Sequence, residues 1–140
     1  MSTGYSGTSL PRKLGLKDGQ IVGFIERPEY LAELDKAAAC VRVDHVARAE
    51  QLRDGYDVVH MYSKSRTVIS EALPILQDKI LANGMIWISW TKTASKVATD
   101  ATENVVRAAA LRLKLVDFKV CAVDAVWSGL KLVIRKELRG

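Results

Sequence analysis

Residues 84–107 read GMIWISWTKTASKVATDATENVVR, and the succession of residue types within them sets the fold class. MIWISW is short, apolar and rich in β-branched and aromatic side chains, as a buried strand requires. TKTASKVA is a polar loop of small residues. Thr99 and Asp100 then open an amphipathic helix, Asp100 and Glu103 having the spacing of a capping box. A strand that passes through a loop into a helix is half of a βαβ unit, which predicts parallel pairing.

The same alternation extends outward. YDVVHMY (56–62) is a second buried strand, and SRTVISEALPILQDKILANG (65–84) is helical, with Ser65 as N-cap, Pro74 as a kink and Asn83-Gly84 as the stop. Further upstream, CVRVDHV (40–46) alternates apolar and polar residues like a strand near a sheet edge, and ARAEQLR (47–53) is a short helix. The first strand is QIVGFIE (20–26), reached through a helical turn closed by Gly15 and a turn at Lys17-Asp18-Gly19. Pro28 then begins a helix that places Leu31, Leu34 and Ala38 on one face.

Downstream, TENVVRAAALRLKL (102–115) carries helical periodicity and ends near Lys114. VDFKVCAVDAVWSGLKLVIRK (116–136) reads as two strands joined around residues 125–129, antiparallel because their connection is short. The expected fold is a three-layer, Rossmann-like α/β sandwich. Its sheet is mostly parallel, of about six strands, with an antiparallel C-terminal strand. A chain of 140 residues suits one such domain, whose first nine residues, rich in Gly, Ser and Thr, are expected to be flexible.

A hydrophobic share of 49% and a charged share of 26% belong to an ordinary globular protein. No apolar run is long enough to span a bilayer and the N-terminus has no secretory h-region, so the expectation is a cytoplasmic protein without membrane contact. Cys40 and Cys121 make no metal-type spacing with His45 or His60, which predicts two reduced, buried thiols and no metal site. The net charge of +5 resides in the second half, where residues 63–140 hold 13 Lys and Arg against 7 Asp and Glu. That surplus is either a solvated basic face or an attraction for an anionic partner.

Two resemblances follow from these pieces. YDVVHMY, then ILANGMIWISW, then the closing pair of strands resemble the second half of a class I methyltransferase-type Rossmann fold. YSGTSLPRKLGLKDG, IWISWTKTASKVATDATENVVR and VDFKVCAVDAVWSGLKLVIRK together resemble a family of short bacterial proteins, the domain of unknown function 3052. That second resemblance implies a self-contained cytoplasmic α/β protein and carries no catalytic residue with it.

Cofactor motifs are missing from the sequence. The first strand leads into FIERPEYL, without the glycines that let backbone approach a dinucleotide or adenosylmethionine, and no GxxxxGK[ST] run or GxSxG elbow occurs. No reaction class and no cofactor is therefore expected. Open α/β sheets bind ligands beyond the carboxyl ends of their strands, where strand order reverses. If the first strand neighbours YDVVHMY, that edge gathers Arg27, Ser63, Lys64, Ser65, Arg66, Trp90, Lys92, Asp124 and Trp127, beside Glu26 and Thr91. Cations and hydroxyls near a helix N-terminus, with a tryptophan as a flat wall, suit a small anionic ligand or partner. The alternatives are an adenosylmethionine-dependent, methyltransferase-like enzyme, active or degenerate, and a module binding protein or, with less support, nucleic acid. The nucleic-acid reading rests on Lys92, Lys96, Arg107, Arg112 and Lys114. The sequence leaves open whether the chain is a monomer or a homo-oligomer.

Overall fold

The β-branched and aromatic runs pair into one sheet in the computed structural model, which describes residues 9–139. Its strands are β1 (Ile21–Ile25), β2 (Arg42–Val46), β3 (Tyr56–Tyr62), β4 (Ile80–Thr91), β5 (Leu115–Ala122) and β6 (Trp127–Ile134). Their order is β2-β1-β3-β4-β6-β5. The first four pair in parallel, while β6 runs antiparallel to both β4 and β5. This is the mostly parallel, Rossmann-like sheet with an antiparallel C-terminal strand that the alternation implies. The alternating β2 lies at an edge, as its half-exposed pattern requires. The flexibility expected of the N-terminus concerns residues that, apart from Ser9, lie outside the described ones.

Alternation along β4 sends its two tryptophans to opposite faces. On one face, Ile86, Ile88 and Trp90 join a core closed by helices α2 (Arg66–Leu76) and α3 (Glu103–Leu111), which contribute Ile69, Leu73, Val106 and Ala110. Trp87 belongs to the other face, with Val22, Phe24, Val58 and Tyr62. The cover there is thinner. It consists of the one-turn α1 (Leu10–Lys13), which brings in Leu14, and a 3-10 segment (Glu29–Lys36) that contributes Leu31 and Leu34.

Several helical expectations shorten in the structure. The segment after Pro28 is 3-10 rather than α-helical and kinks at Leu31, because the two leucines it buries stand at the i, i+3 spacing a 3-10 turn satisfies. ARAEQLR keeps only the three residues Ala49–Gln51 as a 3-10 turn. α2 carries Pro74 and ends at Leu76, so Asn83-Gly84 is not its stop. ILANG is instead the start of β4, drawn in by pairing of Ile80 with Tyr56. Gly84 is needed there for close approach: a Cβ would lie 3.0 Å from the Tyr56 carbonyl oxygen and 3.1 Å from that of Asp57. α3 closes at Leu111, before Lys114.

The capping box is also absent. Thr102 caps α3 by accepting from the Val105 N–H at 3.2 Å. Asp100 turns away and accepts from the Arg66 N–H at 2.7 Å, at the start of α2. Both thiols are free and half-buried rather than fully buried, Cys40 and Cys121 each lying at the margin of the second core.

Candidate ligand-binding site

β1 pairs with β2 on one side and β3 on the other, so strand order reverses between β1 and β3. At their carboxyl ends a cavity of about 600 Å³ opens, a size that suits a small ligand. Its apolar wall comes from Met61 at the end of β3 and from Val68, Ala72 and Ile75 of α2, residues one helical turn apart. Trp127 closes one side, its ring edge-on to Tyr62 with centroids 5.3 Å apart.

The charged lining is more acidic than basic. Glu26, Glu50 and Glu71 face the cavity against Arg48 and Lys64. Glu26 holds a left-handed backbone, φ 55°, which a residue with a Cβ adopts only at a cost of about 1–3 kcal/mol. That bend is the one a glycine would supply in a nucleotide-binding turn. Here an exposed glutamate stands on it, at the rim shared by this cavity and the hollow beside it.

Below the cavity floor lies a buried polar chain. His60 Nε2 is 2.7 Å from Ser89 Oγ, and His60 Nδ1 is 3.3 Å from the Tyr62 hydroxyl, whose ring stacks on the imidazole at 4.1 Å. Burial holds the imidazole neutral, depressing its pKa from 6.5 to about 3, and pushes the Tyr62 phenol far above its usual value. His60 is thus a neutral, buried partner of Ser89 and of Tyr62, which lines the cavity.

The residues anticipated at this edge separate into groups. Ser63, Lys64 and Trp127 line the cavity. Arg27 lies in a neighbouring hollow of about 460 Å³ with Phe24, Asp35 and His45. Its side chain is 8% exposed, and its guanidinium pairs with Asp35 and lies 4.8 Å above the Phe24 ring. Asp124 accepts from the Val126 and Trp127 N–H groups at 2.8 and 2.7 Å and from the Tyr30 hydroxyl at 2.7 Å. Lys92 donates to the Asp124 carbonyl oxygen at 2.5 Å. Trp90 packs in the helix-covered core, so the juxtaposition of Trp90 with Lys92 in sequence does not become a shared wall.

Ser65 and Arg66 mark the N-terminus of α2, but the chain itself occupies that position. Ser65 Oγ accepts from the Val68 N–H at 3.2 Å, and Asp100 supplies the carboxylate at Arg66. Thr99 Oγ1 also donates to the Lys64 carbonyl at 2.8 Å, clamping the loop after β4 to this turn. Asp100→Ala is therefore expected to cost about 1 kcal/mol, a drop in thermal midpoint of roughly 3–5 °C, by calorimetry. An unchanged midpoint would show that the carboxylate does not hold the turn.

Arg48, Glu50 and Glu71 escaped the sequence reading. The first two follow the carboxyl end of β2, so the strand-end rule covers them, and Glu71 shares the helical face of Val68, Ala72 and Ile75. Among the described residues no group of three or more His, Cys, Asp or Glu side chains is placed to hold a metal ion, and no helix is long and apolar enough to cross a membrane.

No family model matches the chain, and no curated protein matches it in sequence. Solved structures do match. A candidate type 11 methyltransferase from Sulfolobus solfataricus superposes with a TM-score of 0.66 at 13% identity, over 91% of this chain and 90% of its own. A SAM-dependent methyltransferase from Aquifex aeolicus gives 0.65 at 16% identity, over 88% and 86%. The N-methyltransferase NodS from Bradyrhizobium japonicum gives 0.63 at 12% identity, over 89% and 92%. The chain has a methyltransferase-like Rossmann fold. Identities this low carry the fold alone.

The cavity residues offer partners for the parts of a nucleoside that carries a charged amino-acid tail. The apolar wall suits a purine, a carboxylate suits ribose hydroxyls and a sulfonium charge, and Arg48 with Lys64 suits an amino-acid carboxylate. The turn after β1 fits less well. Pro28 offers no N–H, and the Glu26 N–H is spent on the Val46 carbonyl at 3.1 Å, so side chains rather than backbone would meet the ligand.

Proposed function

We propose that this protein binds a nucleoside bearing a positive charge, of the adenosylmethionine type, in the cavity where strand order reverses. The observation that carries the reading is the lining itself: three carboxylates against two cations around an apolar slot. Such a lining favours hydroxyls and a cationic centre over a multiply charged anion. Among the described residues the lining hydroxyl that meets an imidazole is that of Tyr62, 3.3 Å from His60 Nδ1, and burial holds it protonated, so the proposal is one of binding rather than of a defined reaction. A cytoplasmic location and kinship with the short bacterial family belong to the same proposal, supported by the two free thiols and by the family's motifs at both ends and centre of the chain.

The second reading is a small anion, carboxylate or phosphate, at Arg48 and Lys64, the two cations of the lining. Isothermal titration separates the two. Adenosylmethionine is expected to bind, and Glu50→Gln together with Glu26→Gln to weaken it about tenfold or more, each lost charged contact being worth about 1 kcal/mol or more. Absence of heat at high protein concentration would dispose of the first reading. Tighter binding of adenosine monophosphate than of adenosylmethionine, abolished by Arg48→Ala with Lys64→Ala, would put the second in its place.

A further inference from the structure

The thinly covered face of the sheet leaves an open region over β5 and β6, far from the cavity. At the amino end of β4, Asn83, Gly84 and Met85 meet Val116 and Val133 in a shallow hollow of about 460 Å³. Phe118 lines it and is 63% exposed, and Lys131, Lys136 and Arg139 stand around it. Lys131 Nζ lies 4.5 Å from the Phe118 ring centroid. The one acid of the lining, Asp117, is paired with Arg107 at 3.0 Å.

The cations continue beyond the hollow. Lys119 faces Lys131 directly across the β5–β6 pair. Like charges in that register destabilise a sheet, and no core requirement places them there. Neither lysine, nor Lys17 nor Lys136, has an ion-pair partner within 4 Å among the described residues. Burial first, then the nearby charges of Lys119 and Lys17, lower the pKa of Lys131. A row of cations without carboxylate partners, beside an exposed aromatic ring that only Lys131 covers, is the pattern of a surface kept for a partner.

We infer that this face, with Lys119, Lys131, Lys136 and Arg139 for phosphates and Phe118 for a base, binds single-stranded nucleic acid. The cations are distributed over two strands and the C-terminal turn, which suits consecutive phosphates of one strand better than the single phosphate group of a mononucleotide. An exposed ring at the irregularity of β5 between Asp117 and Lys119 can stack an unpaired base, whereas bases in a duplex have no free face to offer. The location differs from the one the sequence suggested. Arg107 is committed to Glu103 and Asp117, and with Arg112 and Lys114 it belongs to the helix-covered side.

The experiment is fluorescence anisotropy of labelled oligothymidylate and oligouridylate, about 20 nucleotides long, titrated with the full chain over a salt series. Wild-type protein is expected to bind both at low salt. Lys119→Ala with Lys131→Ala should weaken binding about tenfold and flatten the plot of log K against log salt by about 1.4, roughly 0.7 for each phosphate contact removed. Phe118→Ala should weaken it about fivefold or more with the salt slope unchanged, because stacking releases no counterions. Arg112→Ala with Lys114→Ala should leave binding as it was. Thermal midpoints within a few degrees of wild type confirm that each variant is folded. No binding at low salt, an equal loss from the Arg112 and Lys114 pair, equal affinity for a duplex, or full competition by adenosine monophosphate at equal nucleotide concentration would each overturn the inference. Occupancy of the adenosylmethionine cavity has no bearing on these outcomes, since the two sites lie at opposite ends of the parallel strands.

Discussion

Lowering the pH from 7 to 4 is expected to remove about 3 kcal/mol of folding stability through His60 alone. In the fold the imidazole is fully buried between Tyr62, Ser89 and Trp87, and burial depresses its pKa from 6.5 to about 3. The unfolded chain therefore takes up a proton that the folded chain refuses. The stabilisation is complete above pH 6.5 and is lost progressively as the pH falls toward 3, where the total is on the order of 5 kcal/mol. Other carboxylates add their own acid dependence, so the measurement is a difference. Urea unfolding of wild type and of His60→Gln across this range should show the variant losing about 3 kcal/mol less between pH 7 and 4. Parallel curves would mean that His60 is not the group that titrates.

Trp87→Ala is expected to cost about 4 kcal/mol. The indole is fully buried on the thinly covered face, and its Nε1–H donates to the Leu14 carbonyl at 3.0 Å. Leu14 follows α1 directly, so one hydrogen bond ties the N-terminal segment to the central sheet. Gly129 on β6 accommodates the ring: a Cβ there would lie 3.2 Å from the Trp87 ring and 3.0 Å from Ser89 Oγ. Removing the indole opens a cavity and also strips the cover from one face. Total stabilities of domains are about 5–15 kcal/mol, so the urea midpoint should fall by about a quarter or more. Trp87→Phe keeps most of the apolar volume but lacks the donor. It should cost about 1–2 kcal/mol and raise amide exchange selectively around residues 14–20. A loss below 2 kcal/mol for Trp87→Ala would show that the face collapses around the gap more readily than the packing implies.

The two tryptophans of WISW show how much of the fold was legible in advance. Period-two alternation alone assigns Trp87 and Trp90 to opposite faces, and the structure places them in separate cores. The parallel order, the edge position of RVDHV and the antiparallel closing pair follow from equally local signals. Capping was less legible, because Asp100 and Thr102 are both good N-cap types and only the path of the loop decides which one meets α3. Gly84 after Asn83 likewise carries a helix-stop signal, while its use is to let β4 approach the β3 backbone.

The cavity's edge was legible on a condition about strand order, and its lining was not. The reversal of strand order between the first and third strands singles out one edge of the sheet, and a cavity is there. Side-chain membership depends on directions that residue types do not encode. Trp90 and Lys92, two positions apart, end in a core and on a hairpin carbonyl, while Glu26, Glu50 and Glu71, far apart in the chain, converge. The sequence by itself determined the layer architecture and the mostly parallel strand directions, because hydrophobic periodicity and connection length are local properties, and it named the edge with the cavity only on the condition that the first strand neighbours YDVVHMY. Only the tertiary structure decided that this edge is lined by more acids than bases, and that unpaired lysines gather on the opposite end of the sheet. Charge balance at a surface is a property of the residues that meet in space, and no local pattern records which ones do.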